Sequence, residues 1–290
     1  MKKTLVTGAT GPLGRAALEK LSTLIPKNKL VALARQPEKL SDVSSRGIEV
    51  RRGDYSDVSS LEVAFSGIEQ IYFVSGNDWA HRDQQHLNLI EAAKKAGVSH
   101  IAYTSITRQT ESADSPLAPV AHTHLLTEKA LRESGIGYSF LRHNLYLEVL
   151  SIFLGPDVLH SRQIFLPAGA GKVAFASRAD LAEAGAVHLA SCPTESGAYD
   201  FSNCASWSFE DLAKILSQLQ GSPFQYSSPT AEVYQQTLAS FGVPAEAIGM
   251  GVVFGGAIAA GELDKPVQTL NQLLGRTPYS LEDYLRKAYT

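Results

Sequence analysis

Thr7-Gly8-Ala9-Thr10-Gly11-Pro12-Leu13-Gly14 follows the short β-branched run that begins at Thr4. It opens a segment, Pro12 to Leu24, with apolar residues at Leu13, Ala17, Leu18, Leu21 and Leu24. Strand, glycine turn and helix in that order are the context a dinucleotide fingerprint requires. Gly8 permits the tight turn, Gly11 lets backbone approach a pyrophosphate, and Gly14 lets the helix pack closely on the strand. The helix N-terminus then offers unpaired N–H groups to the phosphates. Pro12 suits the first helical turn, where its missing N–H costs nothing.

Working outward, apolar strand patterns alternate with helical ones. Leu30 to Ala34 is an unbroken apolar run, as in a strand covered on both faces. Ile48–Arg51, Ile71–Ser75, His100–Ser105 and Tyr138–Arg142 continue the strands, with helical stretches over Ser59–Phe65, Gln84–Ala96 and His122–Ser134 between them. Right-handed crossovers turn such a series into an α/β fold, a doubly wound parallel sheet of Rossmann type. After Arg142 the alternation loosens. Helical patterns at Arg178–Leu189, Phe209–Leu219, Ala231–Phe241 and Ser280–Ala288 accompany strand-like pieces near Tyr199 and Phe224. The expected organisation is a dinucleotide-binding domain over residues 1–150 and a smaller α+β substrate-binding lobe over 151–290. Some later segments are expected to return to the first domain, with a cleft between the two.

Composition narrows the function classes. The 290 residues are 44% hydrophobic and 19% charged, ordinary for a globular protein with a sizeable core. Lys and Arg number 26 against 29 Asp and Glu, for a net charge of -3, so no electrostatic case exists for nucleic acid or an anionic membrane as partner. Cys192 and Cys204 lack zinc-ribbon or redox-dithiol spacing and read as free thiols. The apolar run after Lys2 and Lys3 stops at Gly8, too short for a signal peptide. Ile248 to Gly261 carries several glycines and falls short of the roughly 20 residues a membrane-spanning helix needs. A cytoplasmic protein is expected.

The ends of the other strands supply further candidates. Arg35 stands where an NAD-binding protein usually carries an acid for the ribose 2′-OH. A guanidinium there can fork onto a 2′-phosphate, with Lys39 close enough to assist, which favours NADPH; an arginine at a strand end can also simply be solvated. Asp54 and Tyr55 follow the third strand, where an adenine would lie. Ser75 and Gly76 close the fourth strand, and Gly76 could admit the nicotinamide half. Thr104 and Ser105 close the fifth. Each could be a strand-end cap, but all share the ligand-binding edge of an open sheet.

The turn Thr7–Gly14, Arg35, Gly53-Asp54-Tyr55, Ala102-Tyr103-Thr104-Ser105 and Thr127-Glu128-Lys129 together resemble the NmrA-like atypical short-chain dehydrogenases. Among these the chain is most similar to the bacterial type 2 NADPH:quinone oxidoreductases and the triphenylmethane reductases. The resemblance extends over nearly the whole chain, through Trp207-Ser208-Phe209 and Leu273-Leu274-Gly275. It implies cofactor contacts at Gly8, Thr10, Gly11, Pro12, Leu13, Arg35, Ser75 and Gly76, to which the reading above adds Gly14, Asp54, Tyr55, Thr104 and Lys129. Two departures affect the chemistry. The Tyr-x-x-x-Lys pair of the main dehydrogenase family is missing, and His124-x-x-x-Glu128 stands in a comparable place with Lys129 adjacent. His124 could supply a proton near neutral pH, or His122 and His124 could be ordinary surface or capping residues. In Leu141-Arg142-His143-Asn144-Leu145-Tyr146, His143 occupies the position of the asparagine that enters the family's substrate cleft. It could donate to a developing oxyanion, or be a buried histidine with a local partner.

His143, Tyr146 and His124 are therefore the catalytic candidates. The remaining histidines show no metal-ligand spacing, and no metal is expected. Phe153, Phe165, Phe175 and Phe254 could line an apolar pocket or belong to the core. The expected activity is reduction of a quinone or similar planar conjugated, aromatic acceptor by hydride from NADPH. Two alternatives stay open: an NADP-binding redox sensor without turnover, and a tailoring reductase acting on an aromatic natural product. The oligomeric state is not legible.

Overall fold

The computed structural model describes all 290 residues. Six strands arise in the first half: β1 (Thr4–Val6), β2 (Leu30–Ala34), β3 (Glu49–Arg52), β4 (Gln70–Phe73), β5 (His100–Ile106) and β6 (Gly137–His143). Five follow: β7 (Gln163–Phe165), β8 (Lys172–Val173), β9 (Gly197–Phe201), β10 (Trp207–Ser208) and β11 (Gln225–Ser227). The main sheet has the order β3-β2-β1-β4-β5-β6-β9 and is parallel throughout. Its order reverses between β1 and β4, and at such a switch point an open sheet leaves a crevice at the carboxyl ends of its strands.

Two apolar layers cover this sheet, as the unbroken hydrophobic runs of β1, β2 and β4 require. On one face the helix Pro12–Leu24 turns Leu13, Ala17, Leu18 and Leu21 inward. It packs against the helix Arg178–Ala190, whose Ala182, Ala184, Gly185 and Ala186 form a smooth buried face. The helix passes so near Tyr72 that a β-carbon on Gly185 would lie 2.9 Å from the ring. The other face is closed by Leu61, Phe65, Leu89, Ile90 and Leu131 from three helices, over Phe73, Tyr103 and Phe140.

The second half is not contiguous in space. Helix Arg178–Ala190, strand β9 and helix Thr269–Leu274 join the main sheet's layers. The rest forms a lobe with its own core of Leu147, Leu150, Phe175, Phe209, Leu212, Ile258 and Leu281. Two small sheets brace it, an antiparallel β10-β8 pair and a parallel β11-β7 pair. The apolar stretch near Ile248 is the helix Ala245–Ala259, an element its glycines hid. Those glycines serve packing: a β-carbon on Gly255 would lie 2.9 Å from the Pro167 carbonyl oxygen, and one on Gly251 would strike the Tyr234 ring. No helix of the chain is long and apolar enough to cross a membrane.

Candidate active site

The glycine turn at the end of β1 builds one wall of a cleft. Gly8 has φ +60, a left-handed conformation that β-carbons disfavour. Gly14 lies so close behind it that a β-carbon would sit 2.6 Å from the Gly8 carbonyl carbon. Gly11 is different. A β-carbon there would meet only the Gly8 carbonyl oxygen, at 3.4 Å, so the protein's own packing does not demand glycine. What Gly11 keeps open is the approach to the helix N-terminus. Gly11 is itself the N-cap, no side chain caps the helix, and its first turn holds no acid. The first-turn amides are thus available to an anionic ligand.

The cleft that starts here has a volume of about 440 Å³. Gly8, Thr10, Gly11, Pro12, Leu13, Gly14, Arg35, Asp54, Tyr55, Ser75 and Gly76 all line it, so eleven of the thirteen expected cofactor residues come together. Arg35 is exposed at the end of β2. Neither it nor the exposed Lys39 enters an ion pair with any acid of the chain, which leaves the guanidinium fork available at the cleft's rim. Tyr55 is fixed by its hydroxyl, which donates to the Val74 carbonyl at 3.0 Å. Asp54 accepts from the Ser56 amide at 3.0 Å, closing the turn after β3. Gly76 has room: a β-carbon would meet nothing nearer than 3.5 Å.

A second cavity of about 250 Å³ adjoins the first, the two sharing Leu13, Val74, Ser75, Gly76, Asn77 and Tyr146 as walls. Ile106, Val120, Leu145, Val149, Trp79 and Phe254 make it largely apolar. Thr104 lies on this side and not in the longer cleft; its hydroxyl accepts from the Ser75 amide at 2.9 Å and so fixes the shared wall. Of the four phenylalanines considered above only Phe254 reaches the cavity. Phe153 and Phe175 pack edge-on against Phe209, and Phe165 stacks on Tyr234.

All three catalytic candidates line the second cavity, and their electrostatics differ from those of proton donors. His124 is buried, with Nε2 2.8 Å from Nη2 of Arg82 and Nδ1 2.9 Å from the Tyr103 hydroxyl. A guanidinium has donors only, so Nε2 accepts and the imidazole is neutral with its proton on Nδ1. Burial first, and Arg82 second, hold its pKa well below the ordinary value. His143 stacks on Phe201, and burial pushes its pKa down to about 3. Its Nδ1 is 3.5 Å from the Tyr146 hydroxyl and its Nε2 is buried without a partner. Burial pushes the Tyr146 phenol up to about 12, against the opposing pull of Arg178, whose guanidinium lies 4.9 Å over the ring. None of the three can release a proton easily at neutral pH.

The neighbouring residues are engaged elsewhere. The Asn144 amide donates to Ser202 Oγ at 3.1 Å and the Leu263 carbonyl at 3.0 Å, tying the sheet edge to the lobe. Glu128 is fully buried in an ion cluster with Arg108 at 2.8 Å, Arg142 at 2.7 Å and Arg132 at 3.1 Å, away from both cavities. Lys129 is the correction to the expected cofactor set: its side chain is 74% exposed and lies 4.0 Å from Glu133, outside the cleft. One residue along a helix turns about 100°, so a neighbour of inward-facing Glu128 faces solvent.

Arg82 was not anticipated from the sequence. Its signal is faint but present, because Arg82, His86, Leu89 and Ala93 share one helical face, all of them buried. An arginine in phase with a buried stripe marks a site where charge has been taken inside.

A three-glycine turn at the switch point of a parallel sheet, opening into an apolar cavity, defines a Rossmann-type dinucleotide-binding protein. More narrowly, the chain belongs to the NmrA-like family, whose model matches residues 1–285. It is 34% identical over 278 residues to quinone oxidoreductase 2 of Escherichia coli (strain K12), covering 96% of each chain. The structure of the Citrobacter sp. triphenylmethane reductase complexed with NADP(H) superposes with a TM-score of 0.90 at 34% identity, covering 99% of both chains. An NADPH-dependent quinone oxidoreductase of Escherichia coli complexed with NADPH gives 0.91 at 33% identity, covering 99% of this chain and 100% of the other.

Proposed function

We propose that this protein is an NADPH-dependent oxidoreductase that reduces a quinone or a similar planar conjugated acceptor. The observation that carries the reading is the shared wall of Leu13, Ser75, Gly76 and Tyr146. It sets a dinucleotide cleft directly beside an apolar cavity. Relatives named as quinone and triphenylmethane reductases, two of them complexed with NADP(H) or NADPH, support it.

The residues fit the cofactor. The open helix N-terminus above Gly11 takes the pyrophosphate, Arg35 takes the 2′-phosphate, and the space over Gly76 admits the nicotinamide end. When bound, NADPH supplies the hydride. The protein's share is positioning: the apolar walls hold a flat ring against the cofactor end of the cleft and exclude water. The lack of an easily deprotonated acid in the cavity suits acceptors whose conjugation already spreads the charge formed on reduction.

The test is consumption of NADPH and of NADH in the presence of a panel of quinones and triphenylmethane dyes. Acceptor-dependent oxidation that prefers NADPH is the expected result. Tight NADPH binding with no turnover on any acceptor would replace this reading with that of a redox sensor.

A further inference from the structure

Two arginines of this chain are buried, and they are treated in opposite ways. Arg108, 3% exposed, is neutralised by Glu128 at 2.8 Å and Glu111 at 2.6 Å. Arg82, 4% exposed, has no carboxylate within ion-pair distance. Its sequence neighbour Asp83 is taken up by His122 at 3.1 Å and by the Thr123 hydroxyl at 2.5 Å. The hydrogen-bond partners of Arg82 are neutral: Nη2 donates to Ser75 Oγ and to Nε2 of His124. Nε is buried and donates to nothing; both hydrogen bonds of the side chain come from Nη2, which leaves Nη1 without an acceptor in the protein. Trp79 covers the guanidinium, 5.0 Å away.

An arginine cannot escape burial by losing its proton, so the full charge stays inside. A buried charge without a counterion is costly, and leaving guanidinium donors unused adds to the cost. Arg82 lines the apolar cavity and not the dinucleotide cleft, so cofactor phosphates do not explain it. Its partner Ser75, however, belongs to the wall shared by both. The missing counterion therefore has a definite place, in the acceptor cavity beside the junction.

We propose that Arg82 is a catalytic residue that binds the carbonyl oxygen of the acceptor on which negative charge accumulates during reduction. The proposal rests on the reductase reading. Hydride transfer breaks a C–H bond of the reduced nicotinamide and forms an O–H bond on one quinone oxygen, so NADPH is oxidised to NADP and the quinone is reduced by two electrons. The electron pair displaced through the conjugated ring becomes an oxyanion, and a proton from water then completes the hydroquinone. The unused Nη1 donor of Arg82 holds that oxyanion beside the cavity's largely apolar wall. His124 is a positioning residue: by accepting from Nη2, and being fixed in turn by Tyr103, it sets the direction of the fork.

The test uses 4-nitrophenol, which ionises near neutrality to a planar conjugated oxyanion like that of the reduced acceptor, and 4-nitroanisole as its uncharged counterpart. Binding of both is measured with NADP present in oxidised form, so no turnover intervenes. Nitrophenol bound to the unmodified protein is expected to ionise at least about one pH unit lower than free nitrophenol, read from its visible absorption. Arg82→Gln removes that shift and weakens the nitrophenolate about tenfold, while nitroanisole and NADPH affinities stay within about twofold. Arg82→Lys, which keeps a charge, retains part of the shift. In turnover with menadione, Arg82→Gln lowers kcat about 100-fold with little change in KM. An unshifted or raised ionisation in the unmodified protein overturns the proposal, even if Arg82→Gln fails to fold. So does an equal loss of nitrophenolate and nitroanisole binding, or an unchanged kcat. Failure of the unmodified protein to reduce any quinone sinks the reductase reading separately, since the nitrophenol titration needs no turnover.

Discussion

Nε2 of His124 accepts a hydrogen bond from Nη2 of Arg82 at 2.8 Å, and this one contact decides what the histidine can do. Its remaining proton is on Nδ1, directed to Tyr103 at 2.9 Å, so protonation would set a second positive charge against the guanidinium. His124 therefore does not act as an acid. The kcat profile is expected to show no imidazole inflection between about pH 6 and 8. His124→Leu should lower kcat by loosening Arg82 without changing the profile's shape. An inflection in the unmodified enzyme that disappears in His124→Leu would restore the role of proton donor.

Gly11 and Gly14 stand three residues apart in one turn but answer to different constraints. The β-carbon of Gly14→Ala would run into the Gly8 carbonyl, which is backbone and cannot swing aside. A loss of about 1–3 kcal/mol in unfolding free energy is expected. Gly11→Ala meets only an oxygen at 3.4 Å and should fold almost as well. Its methyl group would stand where the pyrophosphate approaches, raising the NADPH dissociation constant at least about tenfold. Paired urea unfolding and cofactor titration would separate the two effects. Equal destabilisation by both substitutions would remove the case for a phosphate path over Gly11.

Arg35 is exposed at the rim of the cleft and engages no acid of the chain, so its removal should cost the fold little. Its energetic role is with the cofactor. Arg35→Ala is expected to lower kcat/KM for NADPH by about 10- to 100-fold, the worth of a charge-assisted contact, and to leave NADH nearly unchanged. An undiminished preference for NADPH in Arg35→Ala would move the 2′-phosphate to another residue.

The dinucleotide half was legible because its signals are local. Helix Pro12–Leu24 and strand Leu30–Ala34 fall where the apolar spacing places them, and the glycine turn lies between strand and helix in a single stretch. The acceptor half was not, because its pieces meet only in three dimensions. β7 pairs Gln163 with Gln225, and β8 pairs Val173 with Trp207, in strands of two or three residues that carry no pattern of their own. Helix Ala245–Ala259 is built on glycines chosen for close packing, against their intrinsic preference. Arg82 follows the same logic. Nothing adjacent in the sequence says that its charge is inside, and only the packing of its helix over β4 and β5 puts it there.

Glu128 fails as a stand-in for a catalytic lysine but anchors a buried ion cluster. Burial alone would raise its pKa; the Arg142, Arg108 and Ser105 hydrogen bonds outweigh that and hold it at about 2. Glu128→Gln leaves the Arg108 guanidinium buried with only the exposed Glu111 to balance it. A destabilisation of about 3–5 kcal/mol is expected, seen as a lower urea midpoint. A loss under about 1 kcal/mol would mean that the cluster relaxes toward water.

Acid should weaken the fold well before Glu128 is protonated. Burial is the leading cause that pushes His86 and His143 down to about 3 and His100 down to about 4. His100 and His188 share Ser139 Oγ at 2.9 and 2.8 Å, an arrangement with one hydroxyl proton between two neutral rings. These histidines are neutral when folded, whereas in the unfolded chain they take up protons below about pH 6.5. The unfolded state then binds more protons than the native one, so stability falls as pH drops from about 6.5 toward 4. The slope reaches at most about 1.4 kcal/mol per pH unit for each such histidine. The depressed Glu128 acts in the same direction but in a lower window: its stabilisation is intact above about 4.5 and fades only as pH falls toward 2. Urea midpoints should therefore decline steadily between about pH 7 and 5, and less steeply in His100→Gln. Midpoints that stay constant over that range would show that these rings reach solvent in the native state.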